Sequence, residues 1–161
     1  MNVQAVFGLS VLLSFVAFGL LTKLYIVPRV RVLNGEDALM PLVVPHTFRF
    51  VGLSFLVPGV VSPSLPSAFA RPAAYGDLVA AILAVIATLA LSTRASSSIV
   101  LVWLLNLWGT ADLLYAIYQG QIGVGIGPGS LGAAYFIPTV LVPALLVTHG
   151  VIFWLLIRDT R

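Results

Sequence analysis

The residues of this chain that can do chemistry lie in stretches otherwise apolar enough to enter a bilayer. Asp112 is the sharpest of them, with Asn106, Trp108, Gly109 and Thr110 before it and Tyr115 after it. An ionisable group at membrane depth costs at least about 2.5 kcal/mol on insertion scales, so each such residue poses a functional question. Asp112 reads in two ways. It can belong to a small polar pocket open to the outside that binds a headgroup, a proton or a small ligand, with Arg49, Asn106, Asp112 and Tyr115 as the candidate binding residues. It can equally be a structural pair that fixes helix packing, with Arg71 or the tyrosines Tyr75, Tyr115, Tyr118 and Tyr135 as partners.

His46 and Arg49 are three residues apart and share a helix face, which Phe50 and Leu53 continue. Arg49 can snorkel to the cytoplasmic interface while His46 caps a backbone carbonyl. His149, beside Gly150, falls at a depth similar to that of His46. Two histidines facing each other across a bundle can ligate a haem or another metal, and they can equally serve as hydrogen-bonded structural groups. Asp77, after Gly76, reads as a first-turn carboxylate helped by the helix dipole. The glycine-rich stretch at 120–129, GQIGVGIGPG, has no Lys-Ser/Thr after it and follows a helix, so it reads as an outer loop covering the pocket near Asp112, not as a phosphate cradle.

Other chemistries lack their residues. With no cysteine, the chain has no disulfide and no thiolate metal site. No HExxH motif points to zinc hydrolysis. No Ser/His pair at matching depth supports a serine hydrolase. No lysine sits at mid-membrane to carry a Schiff base.

The elements that position these residues follow from composition. The 161 residues are 60% hydrophobic and 8% charged, and mean hydropathy is +1.12. Soluble domains carry about 25% charged residues, so the chain is an integral membrane protein in contact with the lipid bilayer. The net charge of +3 fits cytoplasmic-side Lys and Arg, and without a basic patch bearing interleaved exposed aromatics no nucleic-acid partner is expected. A span needs about 20 apolar residues. The fold class expected is all-α, a single transmembrane domain of five helices near 3–25, 39–62, 75–93, 99–118 and 131–157. A loop over 23–38 turns at Asn34-Gly35, and Pro138 and Pro143 bend the last span. The alternative has four spans, with 39–62 re-entrant. Under five spans, Lys23, Arg29, Arg31, Arg49, Arg94, Arg158 and Arg161 fall on one side and Arg71 on the other. This predicts an outside N-terminus and a cytoplasmic C-terminus.

The phrase RFVGLSFLVPGVV followed by PAAYGDLVAAILAV, within residues 46–93, resembles the DoxX-like group of small bacterial membrane proteins. There an Arg near a helix start precedes Gly-Leu and a short apolar run. The resemblance implies four helices and a bacterial inner membrane, and it assigns no functional residue. The function expected first is a non-enzymatic binding or accessory subunit. Small residues such as Gly52 and Gly59 would pack it into a homo-oligomer or against other membrane subunits. The rival readings are a haem-binding redox protein using His46 and His149, and an enzyme or carrier for a lipophilic molecule using Asp112.

Overall fold

The computed structural model describes residues 2–33 and 35–158 and is an all-α bundle with five helices long and apolar enough to cross a membrane. The expected turn residue Asn34 and the terminal Arg161 lie outside the described residues.

The first span comprises α1, Val3–Leu21, a π-helical turn at Thr22–Ile26, and α2, Val27–Val32. Asn2 caps it by accepting from the Ala5 N–H at 2.8 Å. The loop expected from residue 23 is helical as far as Val32. Pro28 does not stop the helix, because the π turn just before it absorbs the ring and the lost N–H. Leu33, in extended conformation, ends the span.

The second span pairs α3, Gly35–Val43, with a 3-10 helix over Val44–Leu56. The expected span of 39–62 is therefore shifted toward the N-terminus, and 57–62 is loop. The segment crosses the bundle. At one end Ser98 donates to Glu36 and Arg94 pairs with Asp37 at 3.2 Å. At the other, Ala133 N–H donates to Val60 O at 2.8 Å and Ser62 N–H to Ser130 O at 3.0 Å. A re-entrant segment would return to its starting side.

Thirteen residues of 3-10 helix are unusual. Pro41 and Pro45 sit four apart, so in an α-helix the Pro45 ring would clash with the Pro41 carbonyl and leave it without a donor. The consequence for the site is geometric. A 3-10 helix has three residues per turn, so i and i+3 eclipse. The buried line is therefore His46, Arg49, Gly52 and Phe55. The expected continuation through Phe50 and Leu53 does not hold: Phe50 is 51% exposed.

The third span is α4, Ser67–Ser92, and the fourth is α5, Ser98–Tyr118, extended by a π turn at Gln119–Gly123. The fifth begins with a 3-10 segment at Pro128–Tyr135, passes through a π segment at Ile137–Leu141 and continues as α6, Val142–Arg158. The irregularity falls where Pro138 and Pro143 were expected to bend it. Gly132 takes φ +54° hard against the Val60 carbonyl, a place no side chain fits.

The buried face of α4 is rich in alanine, including Ala74, Ala80, Ala81, Ala84 and Ala87. These short side chains let the 3-10 helix and α5 approach closely. Two apolar cores result. One, around Leu39, Leu42, Leu105, Ile152 and Leu155, fills the half of the bundle containing α3. The other, around Phe55, Phe69, Leu113, Leu131 and Ile137, fills the opposite half. α1 buries no residue fully and lies along the outside of the bundle.

Candidate functional site

The polar groups form a layer between the two cores. Asp77 is ten residues into α4, roughly 15 Å from its start, and Asp112 is fourteen into α5, roughly 21 Å from its start, at 1.5 Å per residue. Both therefore lie near the middle of a hydrocarbon layer about 30 Å thick. Asp77 is not a first-turn cap, because α4 begins at Ser67 and not near residue 75.

Arg49 joins the two carboxylates. Its Nε donates to Asp77 Oδ1 at 2.7 Å, its Nη2 to Asp112 Oδ2 at 2.6 Å, and its Nη1 to the Gly109 carbonyl at 3.1 Å. The Arg49 side chain is 0% exposed, against 10% for Asp77 and 11% for Asp112. Arg49 thus does not snorkel, and it drops out of the count of interfacial cations. The partner of Asp112 is Arg49, not Arg71 or a tyrosine. Arg was the fitting residue here, since its fork of donors serves three acceptors at once.

Three glycines make room for this arrangement. A Cβ on Gly52 would run into the Asp77 carboxylate, and one on Gly76 into that of Asp112. A Cβ on Gly109 would lie 2.7 Å from the His149 ring and 2.8 Å from Arg49 Nη1. Gly52 is therefore used inside the chain. Gly59 turns a loop at φ +85°.

The two histidines do come together, with ring centroids 4.1 Å apart and planes tilted by 46°. His149 Nδ1 donates to Asn106 Oδ1 at 2.5 Å, while Asn106 Nδ2 donates to the His149 carbonyl at 3.3 Å. The Thr148 hydroxyl lies within reach of the Ala144 and Leu145 carbonyls, so it accepts from His46 Nε2 at 3.1 Å. His46 Nδ1 and His149 Nε2 are buried without a hydrogen-bond partner. Metal–imidazole bonds run about 2 Å, so an iron between the rings would alone hold the nitrogens about 4 Å apart, before a porphyrin is fitted. The tilted rings, with centroids 4.1 Å apart, are in contact with each other and too close to flank a haem. Among the described residues, no group of three or more His, Cys, Asp or Glu is placed to hold a metal ion.

Of the expected binding residues, Arg49 and Asp112 meet directly, and Asn106 joins the layer through His149. Tyr115 does not join it: it is 48% exposed and accepts from Gln119 Nε2 at 2.5 Å on the outer face of α5. Trp108 Nε1 donates to Gly76 O at 3.3 Å, which ties α5 to α4 beside the carboxylates.

Beside the triad lies a cavity of about 470 Å³ between α1 and the rest of the bundle. Phe7 and Phe15 of α1 line it, with Phe55, Phe69, Leu113 and Ile137 from the other elements. Asp77 and Asp112 are its acidic lining residues, whereas Arg49 lies behind them. Gly120, Gln121, Ile126 and Pro128 also line it, so the glycine-rich stretch does border the pocket near Asp112.

Five apolar spans around a buried polar layer define a multi-pass membrane protein. The chain belongs to the family DUF8737, a domain of unknown function matched over residues 6–157, which takes in nearly the whole bundle. The structure has five candidate spans where the DoxX-like resemblance implied four. No curated protein and no solved structure matches the chain.

Proposed function

We propose that this protein binds a lipophilic small molecule in the cavity between α1 and the bundle, as a membrane-embedded carrier or binding protein. The observation that carries this reading is the conjunction of that cavity with the Arg49–Asp77–Asp112 triad on its wall. Ligand sites are concave, mostly apolar and about 300–1,000 Å³ in volume, with a few fixed polar groups that set orientation. This cavity has those properties, and its polar groups are costly enough at that depth to demand a purpose. The reading keeps the binding role expected from the sequence, and Gly52, packed against Asp77, is taken up inside the chain. Orientation with the N-terminus outside is supported by Lys23, Arg29, Arg31, Arg94, Arg158 and Arg161 against Arg71. The cavity then faces the outer half of the bilayer.

The test is native mass spectrometry of protein extracted from its own membrane in mild detergent. The wild type is expected to carry a small lipophile at one per chain. Gly8 lines the cavity, and nothing lies within 4 Å of a Cβ built there, so Gly8→Phe fills the space without displacing backbone. A wild-type adduct that persists undiminished in Gly8→Phe sinks the proposal, as does wild-type protein with no adduct.

A further inference from the structure

The geometry points to a cationic or hydrogen-bond-donating head on the cavity's ligand, an amphiphilic amine being the simplest chemistry. This rests on the ligand-binding reading above and adds the sign of the headgroup. One guanidinium meets two carboxylates, so the triad carries a formal charge of −1 when both are ionised. An unbalanced charge in a low-dielectric layer is expensive, and another positive charge nearby relieves it. Among the described residues, nothing else in the layer supplies one. The histidines are held as hydrogen-bonded groups behind Arg49, and Arg71 makes no ion pair with either carboxylate.

The accessible atoms have the same sign. The Arg49 side chain is fully hidden, and its bonds are directed at Asp77, Asp112 and Gly109. Asp77 Oδ2 and Asp112 Oδ1 accept no hydrogen bond, yet neither is among the sealed polar atoms of the described residues. The residues that carry them line the cavity. With both groups ionised, a ligand head there meets carboxylate oxygens, which only accept. An ammonium or other donor group satisfies them. A carboxylate or phosphate head would meet like charge, with Arg49 behind its partners. The aromatic walls, Phe7, Phe15, Phe55 and Phe69, suit the apolar body and offer π faces to a cation.

Three probes of one shape and different heads test this: adamantyl-methylamine, adamantyl-methanol and adamantane-carboxylate, measured by thermal shift and titration on the full chain in detergent. A charge-assisted hydrogen bond adds enough over a neutral one that the amine is expected to bind roughly tenfold tighter than the alcohol. The carboxylate is expected to bind more weakly than either, and Asp112→Asn to narrow the gap between amine and alcohol. If all three bind alike, or the carboxylate binds best, the headgroup assignment is overturned while the cavity remains a lipophile site. If none binds, both readings fall. The wild-type comparison needs no variant to fold.

Discussion

Replacing Arg49 by Met tests whether the triad behaves as a charge unit. The change keeps an unbranched side chain and removes the three hydrogen bonds that Arg49 donates. Asp77 and Asp112 are then left in the bundle's middle with a formal charge of −2 and no cation. Removing one partner of a buried ion pair costs about 3–5 kcal/mol, because the remaining charge stays uncompensated. For a chain of this length that corresponds to a fall in Tm of roughly 6–20 °C, at about 2–4 °C per kcal/mol. Asp112→Asn should behave quite differently. It leaves Arg49 paired with Asp77, brings the formal charge to zero and keeps an oxygen that can accept from Nη2, so its cost should stay within about 1 kcal/mol of the wild type. The double variant Asp77→Asn/Asp112→Asn strands the guanidinium and should again lose several kcal/mol, more than the sum of the single changes. Unfolding followed by tryptophan fluorescence suits the question, since Trp108 is bonded to Gly76 beside the carboxylates. The reasoning is refuted if Arg49→Met is no more destabilising than Asp112→Asn, or if the two Asn changes simply add.

The glycines provide a graded set. Gly109→Ala presses a methyl against His149 and Arg49 and should cost about 1–3 kcal/mol by overpacking. Gly150→Ala, with open space around it in a helix interior, should stabilise by up to about 1 kcal/mol; equal shifts in the two variants would mean the close approach at Gly109 is not real. His149→Phe removes the donor to Asn106, and leaving that buried amide oxygen unsatisfied should cost about 1–3 kcal/mol, to be checked by the same melting curves. Because the two histidine rings are in direct contact, with centroids 4.1 Å apart, purified protein should show no haem absorbance; a Soret band removed by His46→Ala would contradict the packing.

Much of the candidate site was legible in the sequence as single residues. Asp112, Arg49, His46 and His149 stand out because a charge or imidazole in an apolar run is costly, whatever surrounds it. Their pairing was hidden in two ways. Asp77 passed for a helix cap because α4 was expected to begin near residue 75. The apolar and alanine residues from Phe69 to Ala74 were the signal that the helix starts earlier and carries Asp77 to mid-membrane. The face of the second span was misjudged because a 3.6-residue period was assumed where Pro41 and Pro45 enforce a period of three. That period places Arg49 in line with Gly52 and Phe55, facing α4. The five spans were readable from hydropathy alone, whereas their ends were not, since π turns at Thr22–Ile26 and Gln119–Gly123 extend helices past the residues expected to stop them. A pocket near Asp112 with the glycine-rich stretch beside it was readable, but its size and its apolar wall from α1 had no signature. It arises from residues contributed by α1, the 3-10 helix, α4, α5 and the start of the fifth span, none of which announces a void.

The most direct measurement is photolabelling of the membrane-embedded protein with an adamantyl amine that carries a diazirine, followed by peptide mapping. Labels are expected on cavity residues such as Phe7, Val11, Leu113, Ala116 and Ile137, and should disappear in Gly8→Phe. Labels spread over outward-facing residues such as Leu89 and Leu104, and unchanged in that variant, would contradict a ligand site between α1 and the bundle.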